Sequence, residues 1–260
     1  MNGRWPATGR AWAAGQVLWT PLELAPKIID WWDTTALSTF TESSGYITEW
    51  RGKINGVALG QVNTSQQPAL QRDFYGPGWH RVDFQTNSRN PLWANDRSVP
   101  AEPAFFLVTQ GTGTGNRKLL NTWDQSQQIE YGGFLTNNNG SDAVQPSSAS
   151  AVGQMLAVTW IPGNNQFRMR CANYVGTDWP ADRVSTNLMT MPATAKIMLG
   201  NTRIDIGSNV GIQFRQFIYF NAPLTQTEIE KLEGWHAHAY NHASEISIAG
   251  HPYKTLPPYI

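Results

Sequence analysis

The chain has 260 residues, of which 15% are charged, and 19 Lys and Arg balance 19 Asp and Glu to a formal net charge of zero. That length suits one all-β sandwich, and a neutral surface rich in amides and hydroxyls gives no steering toward nucleic acid or an acidic membrane. The single Cys171 cannot form an internal disulfide, which is the pattern of a chain folded in a reducing cytoplasm, and no run approaches the ~18 apolar residues of a spanning helix.

Residues 1–24 carry Trp5, Trp12 and Trp19 at seven-residue intervals, interrupted by Pro6, Gly9, Gly15 and Pro21. The spacing hints at heptads, but glycine and proline between them cannot sustain a coiled coil. An extended arm is expected instead. Three indoles are costly to leave in water, so the arm either packs on its own body or docks on a neighbour. The apolar run Ala11–Trp19 contains Gln16 and leads into Pro21, which does not fit a signal peptide.

From residue 25 to 260 the pattern is one of short strands separated by turn residues. Strands are predicted at Lys27–Trp32, Tyr46–Trp50, Arg81–Phe84, Ala104–Gln110, Lys118–Trp123, Gln128–Tyr131, Met155–Trp160, Gln166–Cys171, Lys196–Leu199 and Ile212–Phe220. Pro162-Gly163-Asn164-Asn165 reads as a hairpin turn between two of them. One helix is predicted at about 226–242. Thr225-x-x-Glu228 is a capping box, in which each residue's side chain accepts from the other's backbone amide. Ile229, Leu232 and Trp235 then recur at helical spacing and need a surface to lie against.

Several residues invite a chemical reading. Asn137–Asp142 gathers side-chain oxygens, but it has one carboxylate and lacks the alternating acids of a calcium loop, so a surface hairpin is the simpler reading. Asp30 and Asp33 flank Trp31 and Trp32, and their odd spacing places them on opposite strand faces, as a polar pair rather than a metal site. His236, His238 and His242 lie in the predicted helix; the last two share a face, yet no third ligand is apparent, so no metal is expected. No cofactor is implied. Glycoside hydrolysis needs two carboxylates facing across the bond, and no strand carries acids at even spacing, while Glu228, Glu230 and Glu233 belong to the helix. Neither a Gly-x-Ser-x-Gly elbow nor a phosphate-binding loop is present. The chain is not expected to be an enzyme. Sugar binding demands less, and Trp79, Trp93, Trp123 and Trp179 all lie beside polar loops. Core or interface packing is the commoner use of each.

The order and spacing of several pieces carry a resemblance: Ile28-Ile29-Asp30-Trp31-Trp32-Asp33, Gly45-Tyr46-Ile47-Thr48-Glu49-Trp50, Gln67-Pro68-Ala69-Leu70, Val82-Asp83-Phe84, and the helix followed by His251-Pro252-Tyr253. Over about residues 25–258 the chain resembles the laminin-G-like, concanavalin A-like jelly rolls of bacteriophage virion proteins. The resemblance implies a two-sheet antiparallel sandwich with one C-terminal helix, in which His238 belongs to the packing of the helix. One departure is Arg51-Gly52-Lys53-Ile54-Asn55-Gly56, where a small Asp/Ser/Gly turn is usual; it puts in doubt any ligand or ion that this loop places in relatives. The implied role is a non-enzymatic virion surface protein, made in the host cytoplasm, whether capsid decoration, head fibre, tail or baseplate module. It would join other virion proteins, and copies of itself, through the arm and present its loops to host glycans. A stand-alone lectin, or the carbohydrate-binding accessory domain of an enzyme, is the alternative.

Overall fold

The computed structural model describes residues 17–74, 77–84, 92–94, 97–111, 117–121, 127–131, 134–137, 140–143, 154–172, 182–185, 191, 193–200, 212–240, 242–243 and 246–260. In chain order the strands are β1 (Ile28–Asp33), β2 (Phe40–Ser43), β3 (Tyr46–Arg51), β4 (Ala58–Gly60), β5 (Ala69–Gln71), β6 (Arg81–Asp83), β7 (Leu92–Trp93), β8 (Arg97–Ser98) and β9 (Ala104–Gly111). They continue with β10 (Arg117–Asn121), β11 (Gln127–Tyr131), β12 (Phe134–Asn137), β13 (Gly140–Ala143), β14 (Gln154–Ile161), β15 (Gln166–Cys171), β16 (Asp182–Val184), β17 (Thr194–Leu199) and β18 (Ile212–Phe220), and end with helix α1 (Gln226–Ala239).

Every pairing is antiparallel. The first layer runs β16-β15-β14-β9-β18, and the free edge of β18 is shared by β6 at its start and β1 at its end. The second layer runs β2-β3-β4-β7-β17-β10-β11-β12-β13, with β8 extending the β7 side of β17. Strand β5 pairs with both β3 and β6 and so joins the two layers. This is the jelly-roll sandwich expected from the sequence. Each of the ten predicted strands has a counterpart, with Lys118–Trp123 described as far as Asn121, the hairpin after Ile161 is present, and β12 pairs with β13 from Phe134–Ala143 to Asn137–Gly140.

The first layer is buried on both faces. Along β9, Phe105 and Leu107 enter the core between the layers, where they meet Trp32, Trp50, Leu59, Phe167, Phe214 and Phe217. Ala104, Phe106 and Val108 point the other way and meet Ile218, Phe220, Ile229 and Leu232. A register shift between Phe214 and Gln216 resets the alternation in β18, as an inserted bulge residue does. Strands covered on both faces read as continuous apolar runs, which is how the start of β9 and the end of β18 appear in the sequence, although β18 also buries Gln213, Arg215 and Gln216.

Helix α1 is the outer cover, forming a third layer. Its capping box forms as predicted: the Thr225 amide donates to Glu228 Oε2 at 2.7 Å and the Glu228 amide to Thr225 Oγ1 at 3.2 Å. Lys27 Nζ, 2.6 Å from Glu228 Oε1, ties that first turn to the start of β1. The helix ends at Ala239, short of the predicted 242, because Tyr240 leaves helical geometry and the His242 amide reaches back to the Ala237 carbonyl. His242 is therefore outside the helix and does not share a face with His238. Its cover is completed from both directions of the chain. Trp19 and Leu24 are buried beneath it, Leu24 within a short 3-10 turn, Pro21–Lys27, that spans the expected arm boundary. Leu18 bridges to Tyr259. Trp5 and Trp12 lie outside the described residues.

A fully buried carboxylate fastens this layer. Glu233 accepts from Arg170 Nε at 3.0 Å and Nη2 at 3.1 Å, and His251 Nε2 lies 2.9 Å from it. The Tyr253 amide donates to His251 Nδ1, so Nε2 carries the proton that Glu233 receives. The tail then packs so closely that a Cβ on Gly234 would stand 2.3 Å from the Tyr253 Cβ. Replacing a glycine inside a helix by alanine ordinarily stabilises by about 1 kcal/mol. Here Gly234→Ala is expected to do the reverse, lowering the unfolding free energy by ~1–3 kcal/mol through overpacking, measured by urea denaturation.

Candidate functional site

The sequence-predicted ligand residues fall in different places. Trp123 and Trp179 lie outside the described residues. Trp79 closes the end of α1: its indole meets Tyr240 edge-on at 5.3 Å and His242 at 5.2 Å. Tyr240 stacks on His236 at 4.3 Å, and His236 Nδ1 is 3.1 Å from Gln216 Oε1. An amide oxygen only accepts, so Nδ1 is the protonated nitrogen. Trp79 is half-buried, and the contacts of its ring are those of a packing residue.

Trp93 is different. Leu92 and Ala94 point into the core, so Trp93 points out from the second layer, where its ring is half-buried. The register across that layer is Glu49 opposite Gly60, Gly60 opposite Trp93, and Trp93 opposite Met198. Trp50 and Leu59 face inward, which turns Glu49, Arg51 and Gly60 outward on the same face as Trp93. Glu49 and Arg51 form an ion pair, Nε to Oε1 2.7 Å, with side chains 29% and 56% exposed. On the far side of Trp93 from Gly60, the Lys196 ammonium lies 4.4 Å from the indole centroid and is buried. The outward face thus holds an aromatic wall, a side-chain-free floor and a charged pair that both donates and accepts. This is the minimum set for a sugar platform, where a ring stacks and hydroxyls are bonded.

Gly60, Glu49 and Arg51 were not singled out by the sequence. Glu49 and Arg51 could have been found, since they alternate with the inward Trp50, but their neighbourhood with Trp93 depends on two very short strands.

The Asp30 and Asp33 carboxylates are committed within the fold. Asp30 Oδ1 accepts from the Ile54 and Asn55 amides at 3.0 and 3.2 Å, and Oδ2 from the Val57 amide at 2.6 Å. A Cβ on Gly52 would fall 2.0 Å from the Asp30 Cγ, so the departing loop closes directly over this carboxylate. Asp33 Oδ2 takes Lys53 Nζ at 2.7 Å, and that ammonium also lies 3.1 Å from the Trp31 ring centroid. Asp30 faces the sandwich core with Trp32, and Asp33 the helix side with Trp31, as the odd spacing predicts. His238 Nε2 donates to the Tyr253 carbonyl at 2.8 Å. No group of three or more metal-ligating side chains occurs among the described residues.

No known protein family matches the chain, and no curated protein does. Among solved structures, domain 4 of an extracellular arabinanase from Geobacillus stearothermophilus, in complex with arabinotriose, is 13% identical with a TM-score of 0.47, covering 79% of this chain and 98% of that one. A botulinum neurotoxin type C structure concerned with two ganglioside molecules is 8% identical with a TM-score of 0.46, covering 81% of this chain and 51% of that one. Trypanosoma rangeli sialidase is 9% identical with a TM-score of 0.42, covering 78% of this chain and 32% of that one. The chain therefore spans about half of the neurotoxin chain and a third of the sialidase.

Burial holds the His236 imidazole well below the usual histidine range, and the neighbouring Arg215 and His242 act in the same direction. In the unfolded chain this imidazole binds a proton near pH 6.5, while in the folded chain it stays neutral to lower pH, so folding stability falls as pH drops below about 6.5. The slope it contributes is at most about 1.4 kcal/mol per pH unit. Urea melts from pH 7.5 to 5 should show this fall, and His236→Gln should flatten it.

Proposed function

We propose that the chain is a non-enzymatic β-sandwich binding module that takes glycans on the outward face of its second layer, and that it serves as a surface protein of a bacteriophage particle. The observation that carries the binding half is Trp93: a half-exposed indole on strand β7, paired with the side-chain-free Gly60 and two strands away from the partly exposed Glu49–Arg51 pair. Aromatic rings mounted on strands keep their orientation, which reduces the entropy lost on stacking a ligand. Binding rather than hydrolysis is supported by the commitment of Asp30, Asp33 and Glu233 to internal donors. The particle role rests on the resemblance to virion jelly rolls and on the tryptophan-bearing arm.

Glycan-array screening followed by calorimetry tests the first half. Trp93→Ala should weaken the best ligand at least about tenfold, equivalent to ~1.4 kcal/mol. Trp79→Ala should lower stability and leave the ligand affinity of the folded protein unchanged. Silence of the intact protein across the array would remove the glycan reading.

For the arm, removal of residues 1–16 is expected to leave a folded monomer that no longer joins oligomers or particles, as read by light scattering and by incorporation into particles. Unchanged assembly would refute the role given to Trp5 and Trp12.

A further inference from the structure

Gly60 closes the three-residue strand β4 and is paired on both sides, to Glu49 and to Trp93. A glycine inside a strand marks a bulge, a bend or left-handed backbone, or a place where something approaches closely. The β3–β4 register is unbroken through Glu49–Gly60, Trp50–Leu59 and Arg51–Ala58. Among the described residues the glycines with positive φ are Gly45, Gly56, Gly78, Gly163, Gly200 and Gly250, and Gly60 is not among them. A Cβ would fit, because its one neighbour within 4 Å among the described residues is the Thr48 carbonyl at 3.5 Å, an ordinary contact. Close approach from outside fits this regular pairing and the room above the backbone.

We propose that Gly60 is the floor of a slot for a single neutral pyranose ring, which lies against the Trp93 indole and bonds through its hydroxyls to Glu49 and Arg51. This rests on the glycan-binding reading above and adds the residue that admits the ligand and the class of sugar admitted. Strands β3 and β7 flank β4, so the walls rise from backbones two strand spacings apart, roughly 9.6 Å. A ring stacked on the indole takes up about 3.5–4 Å of that gap in carbon-to-carbon contact, leaving hydrogen-bonding distance to the opposite wall. Lys196 supports the indole from the β17 side, away from the slot. The Glu49 carboxylate accepts and the Arg51 guanidinium donates, which matches hydroxyls that do both. The pair has no net charge, and an acidic sugar would bring its carboxylate beside Glu49.

Gly60→Val tests this directly, because valine suits a strand and its side chain would fill the slot. The variant should keep the melting temperature of the parent, or raise it, and lose binding of the array-selected neutral glycan to below a tenth of the parent affinity, while Gly60→Ala loses less. The Trp93→Ala variant should lose binding as well. If Trp93→Ala abolishes binding and a folded Gly60→Val binds like the parent, the slot is wrong and the glycan-binding function stands. If the parent prefers sialylated or uronic acid glycans to neutral ones, the neutral-sugar assignment is wrong. If the parent binds no glycan, both readings fall together.

Discussion

The buried Glu233 carboxylate is the interaction on which the outer half of this molecule depends. The first layer is buried on both faces, so the sandwich partner covers only one of them. The second face needs a separate cover, and the helix that supplies it touches the sheet across Ile229, Leu232 and Ala237. Apolar contact alone would let the helix slide. A carboxylate held by two nitrogens of Arg170, a β15 side chain, and by His251 from the tail fixes its position and its rotation. Removing one member of such a buried set leaves uncompensated charge, a loss of about 3–5 kcal/mol in comparable cases.

The helix and its tail in turn order what lies at the helix end. Tyr240 and His236 are stacked, and Trp79 meets Tyr240 and His242 edge-on from the loop before β6. Burial pushes the Tyr240 phenol well above its ordinary range, with the Asp33 carboxylate acting in the same direction. Aromatic residues near loops are therefore divided between two duties. Trp79 belongs to the cover of the first layer, and Trp93 stands on the opposite side of the sandwich, where the second layer has its outward face.

Much of the architecture could be read from the sequence because it rests on local signals. The capping box, the period of Ile229 and Leu232, and the apolar run of β9 each lie within a dozen residues. Strands β4, β7 and β8, with three, two and two residues, are too short to produce alternation, and the pairing of β4 with β7 is what brings Gly60 beside Trp93. The candidate site was legible only in its indole. Its floor and its opposite wall come from residues more than thirty positions earlier, joined by register alone. Asp30 and Asp33 were legible as residues of opposite faces, but their partners in the 53–57 loop belong to tertiary structure. Trp19 was open between two readings in the sequence, and its ring is buried on its own sandwich.

Val17 and Ile260 are antiparallel neighbours, joined through the Ile260 amide and the Val17 carbonyl, with the Leu18–Tyr259 bridge and the Trp19–Pro258 bond behind them. Tension applied between these two positions acts on one bond at a time, as in opening a zipper. A pull on these two positions therefore loads this short seam before it reaches the β9–β18 and β9–β14 ladders.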